Sequence, residues 1–195
     1  MATPVRSDAC FSRCGTYRYA LWRRWGAGPQ VLFVMLNPST ADKQRDDPTI
    51  RRCIGFAARW GFGAVAVGNL FAFRTPSPGV LRQAAHPVGR ANDRWLQRLA
   101  AESSHVIAAW GNEGVLLGRD AQVRELLAPL HSLGLTRQGQ PRHPLYLRSE
   151  VLPSRWCSNA RPCRTGPTSR FHRRHGNLNQ MLAGAQKRLG PSVCV

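Results

Sequence analysis

Asparagine and histidine side chains occur where apolar segments of the chain end. Asn37, Asn69 and Asn112 each follow an apolar run, and His143 stands in a polar loop before Pro144. Amide and imidazole groups both donate and accept hydrogen bonds, so a set of them can orient water and hold the polar edge of a ligand. The alternative is structural, since asparagine often bonds to nearby backbone and a histidine before proline can shape a turn.

Carboxylates suggest a second chemistry. Asp42, Asp46 and Asp47 lie close together in the sequence, and with His143 they could converge on a divalent metal, as in a nuclease or phosphoesterase. Their spacing is not diagnostic, and Asp47 before Pro48 is better explained as the N-cap of a helix. We therefore expect no metal and no cofactor.

Apolar runs that alternate with amphipathic, capped segments predict strands joined by crossover helices. The predicted strands are 17–22 at an edge and 31–36, 64–67, 106–110 and 133–136 in the centre. Helices are predicted from Asp47-Pro48 to Gly61, after a cap at Asn92, and over 123–130. The expected fold is a three-layer α/β sandwich around a central, mostly parallel four-stranded sheet, with ligands bound beyond the carboxyl ends of the strands.

Charge and composition divide the chain in two. Residues 1–150 form the expected single α/β domain, whereas 151–195 lose all periodicity and predict a basic, disordered or atypical tail. The chain has 28 basic against 10 acidic residues, and the tail holds eight of the bases and no acid. Such a field favours a polyanionic partner, here nucleic acid, although an arginine-rich codon bias would produce the same excess. Without a signal-like segment or an apolar run of membrane length, we expect a cytoplasmic protein with no membrane contact.

Five sequence blocks carry a resemblance to a known family. They are Leu36-Asn37-Pro38-Ser39-Thr40-Ala41-Asp42, Asp47-Pro48-Thr49-Ile50-Arg51-Arg52, Asn69-Leu70-Phe71-Ala72-Phe73-Arg74, Ala109-Trp110-Gly111 and Arg142-His143-Pro144-Leu145-Tyr146-Leu147. They resemble a bacterial family of unknown function marked by the phrases LNPSTAD and RHPLYL. Their order is also distantly similar to that of the uracil-DNA glycosylase superfamily, in which strands end in Asn-Pro or Asp-Pro, Asn and Trp-Gly, and a late loop carries His-Pro-Ser.

The glycosylase resemblance implies a role for each matched position. Asn37 would position the attacking water, Asn69 would bind the edge of the base, and His143 would stabilise charge on the base oxygen. Trp110 and Asn112 would complete the base site, although a core role for Trp110 is the stronger alternative. The chain departs from the pattern at Met35, which replaces a loop glycine, and at Leu145, which replaces a serine. The residues assigned to nucleic-acid contact are Ser39, Thr40, Arg74 and Arg142.

The sequence thus predicts a DNA glycosylase-like protein that excises a modified or mismatched base by hydrolysing the N-glycosidic bond. The target base must leave the stack and enter a pocket. Two alternatives stay open at this point. One is a non-catalytic nucleic-acid or nucleotide binder of the same fold, and the other is the metal-dependent nuclease or phosphoesterase.

Overall fold

A single seven-stranded sheet organises the protein, for which a computed structural model describes residues 6–156. The strands are β1 (Arg6–Phe11), β2 (Arg18–Arg24), β3 (Gln30–Met35), β4 (Ala64–Asn69), β5 (His105–Ala108), β6 (Leu130–Ser132) and β7 (Ser154–Trp156). Their order across the sheet is β1-β2-β4-β3-β5-β6-β7. Strands β4, β3, β5 and β6 are mutually parallel, β2 and β7 flank them antiparallel, and β1 pairs antiparallel with β2.

Helices cover both faces of the sheet. They are α1 (Pro48–Arg59), α2 (Pro78–Gln83), α3 (Asn92–Ala101) and α4 (Arg119–Leu127). In β3, Phe33 belongs to the apolar cluster that includes α1, whereas Leu32 and Val34 belong to the cluster that includes α2, α3 and α4. Alternate side chains of a strand point to opposite faces, so the architecture has three layers.

Helix α1 forms where its capping residues predict. The Asp47 carboxylate accepts a hydrogen bond from the Ile50 amide at 2.8 Å, and Pro48 occupies the first turn. Ile50, Cys53 and Ala57 are buried along one face of the helix, as expected of an amphipathic segment packed on a sheet.

The sheet differs from the sequence prediction in its extent. Within residues 6–156 it has seven strands and not four, because β1 and β2 extend the parallel centre on one side and β7 extends it on the other. The segment 17–22 was expected at an edge, but β2 lies between β1 and β4. The last central strand is Leu130–Ser132 rather than 133–136, where Leu135 instead bridges Pro141 across a tight loop. Strand β7 extends the sheet beyond residue 150, and 157–195 lie outside the described residues.

Asn92 does not cap a helix as predicted. It occupies the first turn of α3, and its buried amide donates to the carbonyl oxygens of Asn69 and Leu70 at 3.0 Å each. Arg119 donates to the Leu70 carbonyl as well. These bonds attach helices α3 and α4 to the end of β4. Within residues 6–156, no helix combines the length and apolar character needed to cross a bilayer.

Candidate ligand-binding cleft

A cleft of about 520 Å³ opens beyond the carboxyl ends of β3 and β5. The chain leaves the end of β3 toward α1 on one face of the sheet, and it leaves the end of β5 toward α4 on the opposite face. The two connections diverge, which leaves a crevice between the ends of these neighbouring strands. The lining residues include Arg18, Asn37, Ser39, Asp47, Thr49, Thr75, Trp110, Asn112, Glu113, His143 and Tyr146.

Asn37 lines the cleft with its hydrogen-bonding direction fixed. Its Nδ2 donates to the carbonyl oxygens of Thr75 at 2.7 Å and of Pro38 at 3.0 Å. The Thr75 amide donates in turn to the Pro38 carbonyl, so the two loops hold each other. Because both carbonyls require a donor, the amide orientation is determined. Asn37 therefore offers Oδ1, an acceptor, to the cleft.

His143 lines the same cleft and offers a hydrogen-bond donor, where Asn37 offers an acceptor. Its Nδ1 accepts a hydrogen bond from the Leu145 amide at 3.3 Å, capping the 3-10 turn Pro144–Tyr146. Burial lowers the pKa of His143 below its ordinary value, and the nearby Asp47 carboxylate opposes that shift only in part. The imidazole is therefore neutral near pH 7, and with Nδ1 accepting, Nε2 carries the proton. His143 offers a neutral donor.

Helix α1 holds the loop that carries His143. Arg52 donates through Nη2 to the Leu147 carbonyl and through Nη1 to Ser149 Oγ at 2.9 Å. Two helical turns further along the chain, Trp60 Nε1 donates to the Val151 carbonyl at 3.2 Å. The loop after His143 is thus fixed to the same helix whose N-terminal turn lines the cleft.

Replacing Arg52 should release this loop without unfolding the domain. In Arg52→Met we expect faster hydrogen exchange at the amides of Leu145 and Leu147, with α1 amides unchanged, because two hydrogen bonds from a charged donor are lost. The neighbouring Arg51→Met is the control, since Arg51 is exposed and bonds to the Asp46 carbonyl instead. Equal exchange in both variants would show that Arg52 does not hold the loop.

Trp110 forms a wall of the cleft and is part of the core. Its side chain is 2% exposed, its Nε1 donates to Gln140 Oε1 at 2.9 Å, and its ring packs edge-on against Trp156. Gln140 continues the contact by donating to Asp120. Next to it, Gly111 adopts a φ of 74° and donates its amide to the Pro141 carbonyl. The end of β5 is therefore joined to the loop that leads to His143.

The remaining predicted residues divide between the cleft and its surroundings. Asn112 is exposed at the rim, and Ser39 lines the wall. Asn69 does not line the cleft: it is buried at the end of β4, and its Nδ2 has no partner among the described residues. Thr40, Arg74 and Arg142 are exposed and also lie outside the lining. Arg74 donates to the Ser39 carbonyl and stacks over Phe11.

The three aspartates do not converge. Asp47 lines the cleft but caps α1, Asp46 pairs with Arg23 at 2.8 Å, and the Asp42 carboxylate accepts the amides of two following residues. Among residues 6–156 there is no group of three or more His, Cys, Asp or Glu side chains placed to hold a metal ion. Asp42, Asp46, Asp47 and His143 therefore do not form the ligand set that the sequence suggested.

Arg18 is a cleft residue that the sequence interpretation missed. Its side chain is buried, and its only hydrogen bond within residues 6–156 runs from Nη1 to the Ala41 carbonyl at 2.7 Å, while Nε has no partner. Burial lowers the pKa of Arg18 to about 10, so it remains charged at neutral pH. An arginine in an alternating strand is normally solvated, and nothing in the sequence indicates that this one is covered.

Fold and site define a doubly wound α/β protein with a ligand cleft at the point where its strand connections diverge. Residues 18–145 match the model of the family described as "Protein of unknown function (DUF1643)", and the chain belongs to that family. The match includes every lining residue named above except Tyr146. No curated protein and no solved structure matches the chain. Membership of a family of unknown function agrees with the sequence analysis, whereas the likeness to the uracil-DNA glycosylase superfamily remains a prediction.

Proposed function

We propose that this protein is an N-glycosylase that removes a modified or mismatched base from DNA by hydrolysis. The observation that carries the proposal is the pairing of Asn37 and His143 in one cleft, with a free acceptor on the first and a neutral donor on the second. A hydrolase that releases a base needs both, because an attacking water must be held and the charge on the departing base must be stabilised.

The reaction requires little proton transfer from the protein. As the N-glycosidic bond breaks, the base leaves with the bonding electron pair and the sugar becomes oxocarbenium-like. The Nε2–H group of neutral His143 would donate to the base oxygen on which negative charge develops. Asn37 Oδ1 would accept a hydrogen bond from the water whose oxygen adds to the sugar carbon, and that water's proton passes to solvent. Each group acts by orientation, so neither needs to be a strong acid or base.

The rim of the cleft supports a nucleic-acid substrate. Tyr146, which lines the cleft beside His143, is 80% exposed, and its ring centroid lies 6.1 Å from that of His143. An exposed aromatic ring at a pocket mouth provides a surface on which a base can stack. The chain's net charge of +18 favours a polyanionic substrate.

The test is incubation of the full chain with oligonucleotides that carry uracil, hypoxanthine or a mismatch, in the presence of a chelator. Alkali then converts abasic sites into strand breaks. We expect breaks at one of these bases with the wild type, and none above background with Asn37→Ala. Exposed Gln138→Ala, outside the cleft, is the control and should retain full activity.

Two results would overturn base excision. Salt-sensitive binding of the oligonucleotides without any abasic product would favour the non-catalytic binder. In a parallel incubation with a divalent metal and no chelator, cleavage that the chelator abolishes would favour a metal-dependent nuclease or phosphoesterase.

A further inference from the structure

Arg18 is a buried cation whose charge is not balanced by an ion pair. Its side chain is 2% exposed, and the described part of the chain gives it no carboxylate within 4.0 Å. Burying a charge without a partner costs free energy, so buried charges are normally paired, and an unpaired one suggests a functional role. Although it is buried, Arg18 is one of the residues that line the cleft.

The buried arginine Arg23 shows what a structural arginine looks like in the same strand. It is 1% exposed, pairs with Asp46 at 2.8 Å, and donates to four carbonyl oxygens, those of Asp8, Trp22, Asp42 and Arg45. Its guanidinium is saturated by the protein. Arg18, five residues earlier, has one bond to Ala41 and a buried Nε with no partner. The contrast indicates that the Arg18 guanidinium has donors left to bind a ligand, whereas that of Arg23 serves the fold.

The surroundings of Arg18 favour an anion with several oxygens. Thr49 and Ile50, in the N-terminal turn of the twelve-residue helix α1, line the same cleft, and the positive end of the helix dipole points there. Burial is the main cause of the lowered pKa of Arg18; the Asp47 carboxylate raises that pKa, and the nearby guanidinium of Arg74 lowers it by repulsion. The Asp47 carboxylate opposes an anion and already accepts the Ile50 amide, so binding there must come chiefly from the Arg18 guanidinium.

We propose that Arg18, with the first turn of α1, forms a phosphate-binding subsite in the cleft, and that the ligand therefore carries a phosphate group there. A guanidinium presents several donors in one plane and matches phosphate geometry. A volume of about 520 Å³ lies within the range of small-molecule sites and leaves room for a nucleotide rather than a base alone. This inference does not depend on base excision, because the subsite would bind a phosphate whether or not a bond is broken.

The test compares the full chain with Arg18→Met and with Arg23→Met, by thermal unfolding and by calorimetric titration. The probes are inorganic phosphate, a nucleoside 5′-monophosphate and the matching nucleoside, at ionic strength held constant with chloride. We expect phosphate and the monophosphate to raise the Tm of the wild type, and the nucleoside to bind at least about tenfold more weakly than the monophosphate. Arg18→Met should lose this preference while its Tm without phosphate does not fall.

Arg23→Met is the matched structural control. Its Tm should fall clearly without added anion, because Asp46 and four carbonyl oxygens lose their donor. A Tm of Arg18→Met that falls as far as that of Arg23→Met would show that Arg18 is structural and would overturn the proposal. So would equal affinity of the wild type for the nucleoside and its monophosphate.

The same titrations identify the source of the phosphate. A single-stranded oligonucleotide that competes with the monophosphate, and does so only with Arg18 present, places the phosphate on a nucleic-acid strand. Binding of the monophosphate that the oligonucleotide does not affect indicates a free nucleotide. Either result supports the subsite, and neither requires an abasic product.

Discussion

Replacing His143 by alanine is expected to lower the rate of the proposed base excision by roughly 10² to 10³-fold at neutral pH, the loss typical when one donor to a developing oxyanion is removed. The reason is geometric, because the Leu145 amide fixes Nδ1 as an acceptor and so directs the Nε2 proton into the cleft. Rates should be measured under single-turnover conditions, so that product release does not conceal the chemical step. Exposed His86, outside the cleft, provides the control variant His86→Ala, which should react as fast as the wild type.

The pH dependence provides an independent test of the same assignment. Burial lowers the pKa of His143, so the neutral imidazole persists below the ordinary histidine value of about 6.5. As the pH falls through the lowered pKa, Nδ1 gains a proton and can no longer accept the Leu145 amide. The contribution of His143 to the free energy of unfolding is complete above its ordinary pKa, and it is lost as the pH falls through the lowered pKa of the folded state. Activity should therefore remain level through pH 6.5 and decline only below it, and a decline centred above pH 6.5 would contradict a neutral donor.

Gly114→Ala is expected to cause the second large effect, a loss of about 2 kcal/mol or more in the free energy of unfolding. A Cβ atom at Gly114 would lie 2.1 Å from Trp110 Cδ1 and 2.6 Å from Nε1. The indole cannot yield easily, since it is 2% exposed and its Nε1 is bonded to Gln140. Because Trp110 forms a wall of the cleft, ligand binding should fall together with stability.

The control for this substitution is Gly55→Ala in α1. No atom lies within 4 Å of a Cβ built there, and alanine is the better helix former. Denaturant unfolding should show Gly55→Ala to be about 0.5 to 1 kcal/mol more stable than the wild type. If Gly114→Ala were as stable as the wild type, the packing of Trp110 against this glycine would not limit the shape of the cleft.

The central elements were predictable because their signals are local. Strands β3, β4 and β5 are continuously apolar, as strands covered on both faces must be. The Asp47-Pro48 pair marks the start of α1 by itself. The peripheral strands carry no such signal: β1 begins with the polar residues Arg6, Ser7 and Asp8, while β6 and β7 have three residues each and form only because a neighbouring strand is available.

The site was predictable where it depends on strand ends and not where it depends on tertiary contacts. Asn37 and His143 were placed in one crevice by the rule for parallel sheets, and the structure brings both to one cleft. Asn69 was assigned by the same rule but lies buried outside the lining, behind helices held by Asn92 and Arg119. The covering of Arg18 depends on the path of the loop around Ala41, which no local pattern reveals.

The walls of the cleft come from both ends of the described chain. Arg18 begins the second strand of the N-terminal hairpin, and His143 lies in the loop that precedes the last strand. Neither segment alone encloses the space between them, so the pocket exists only while both remain docked. Local unfolding of either segment would open the pocket and release a bound ligand. A bound ligand would in turn stabilise both segments against local unfolding, although they lie far apart in the chain.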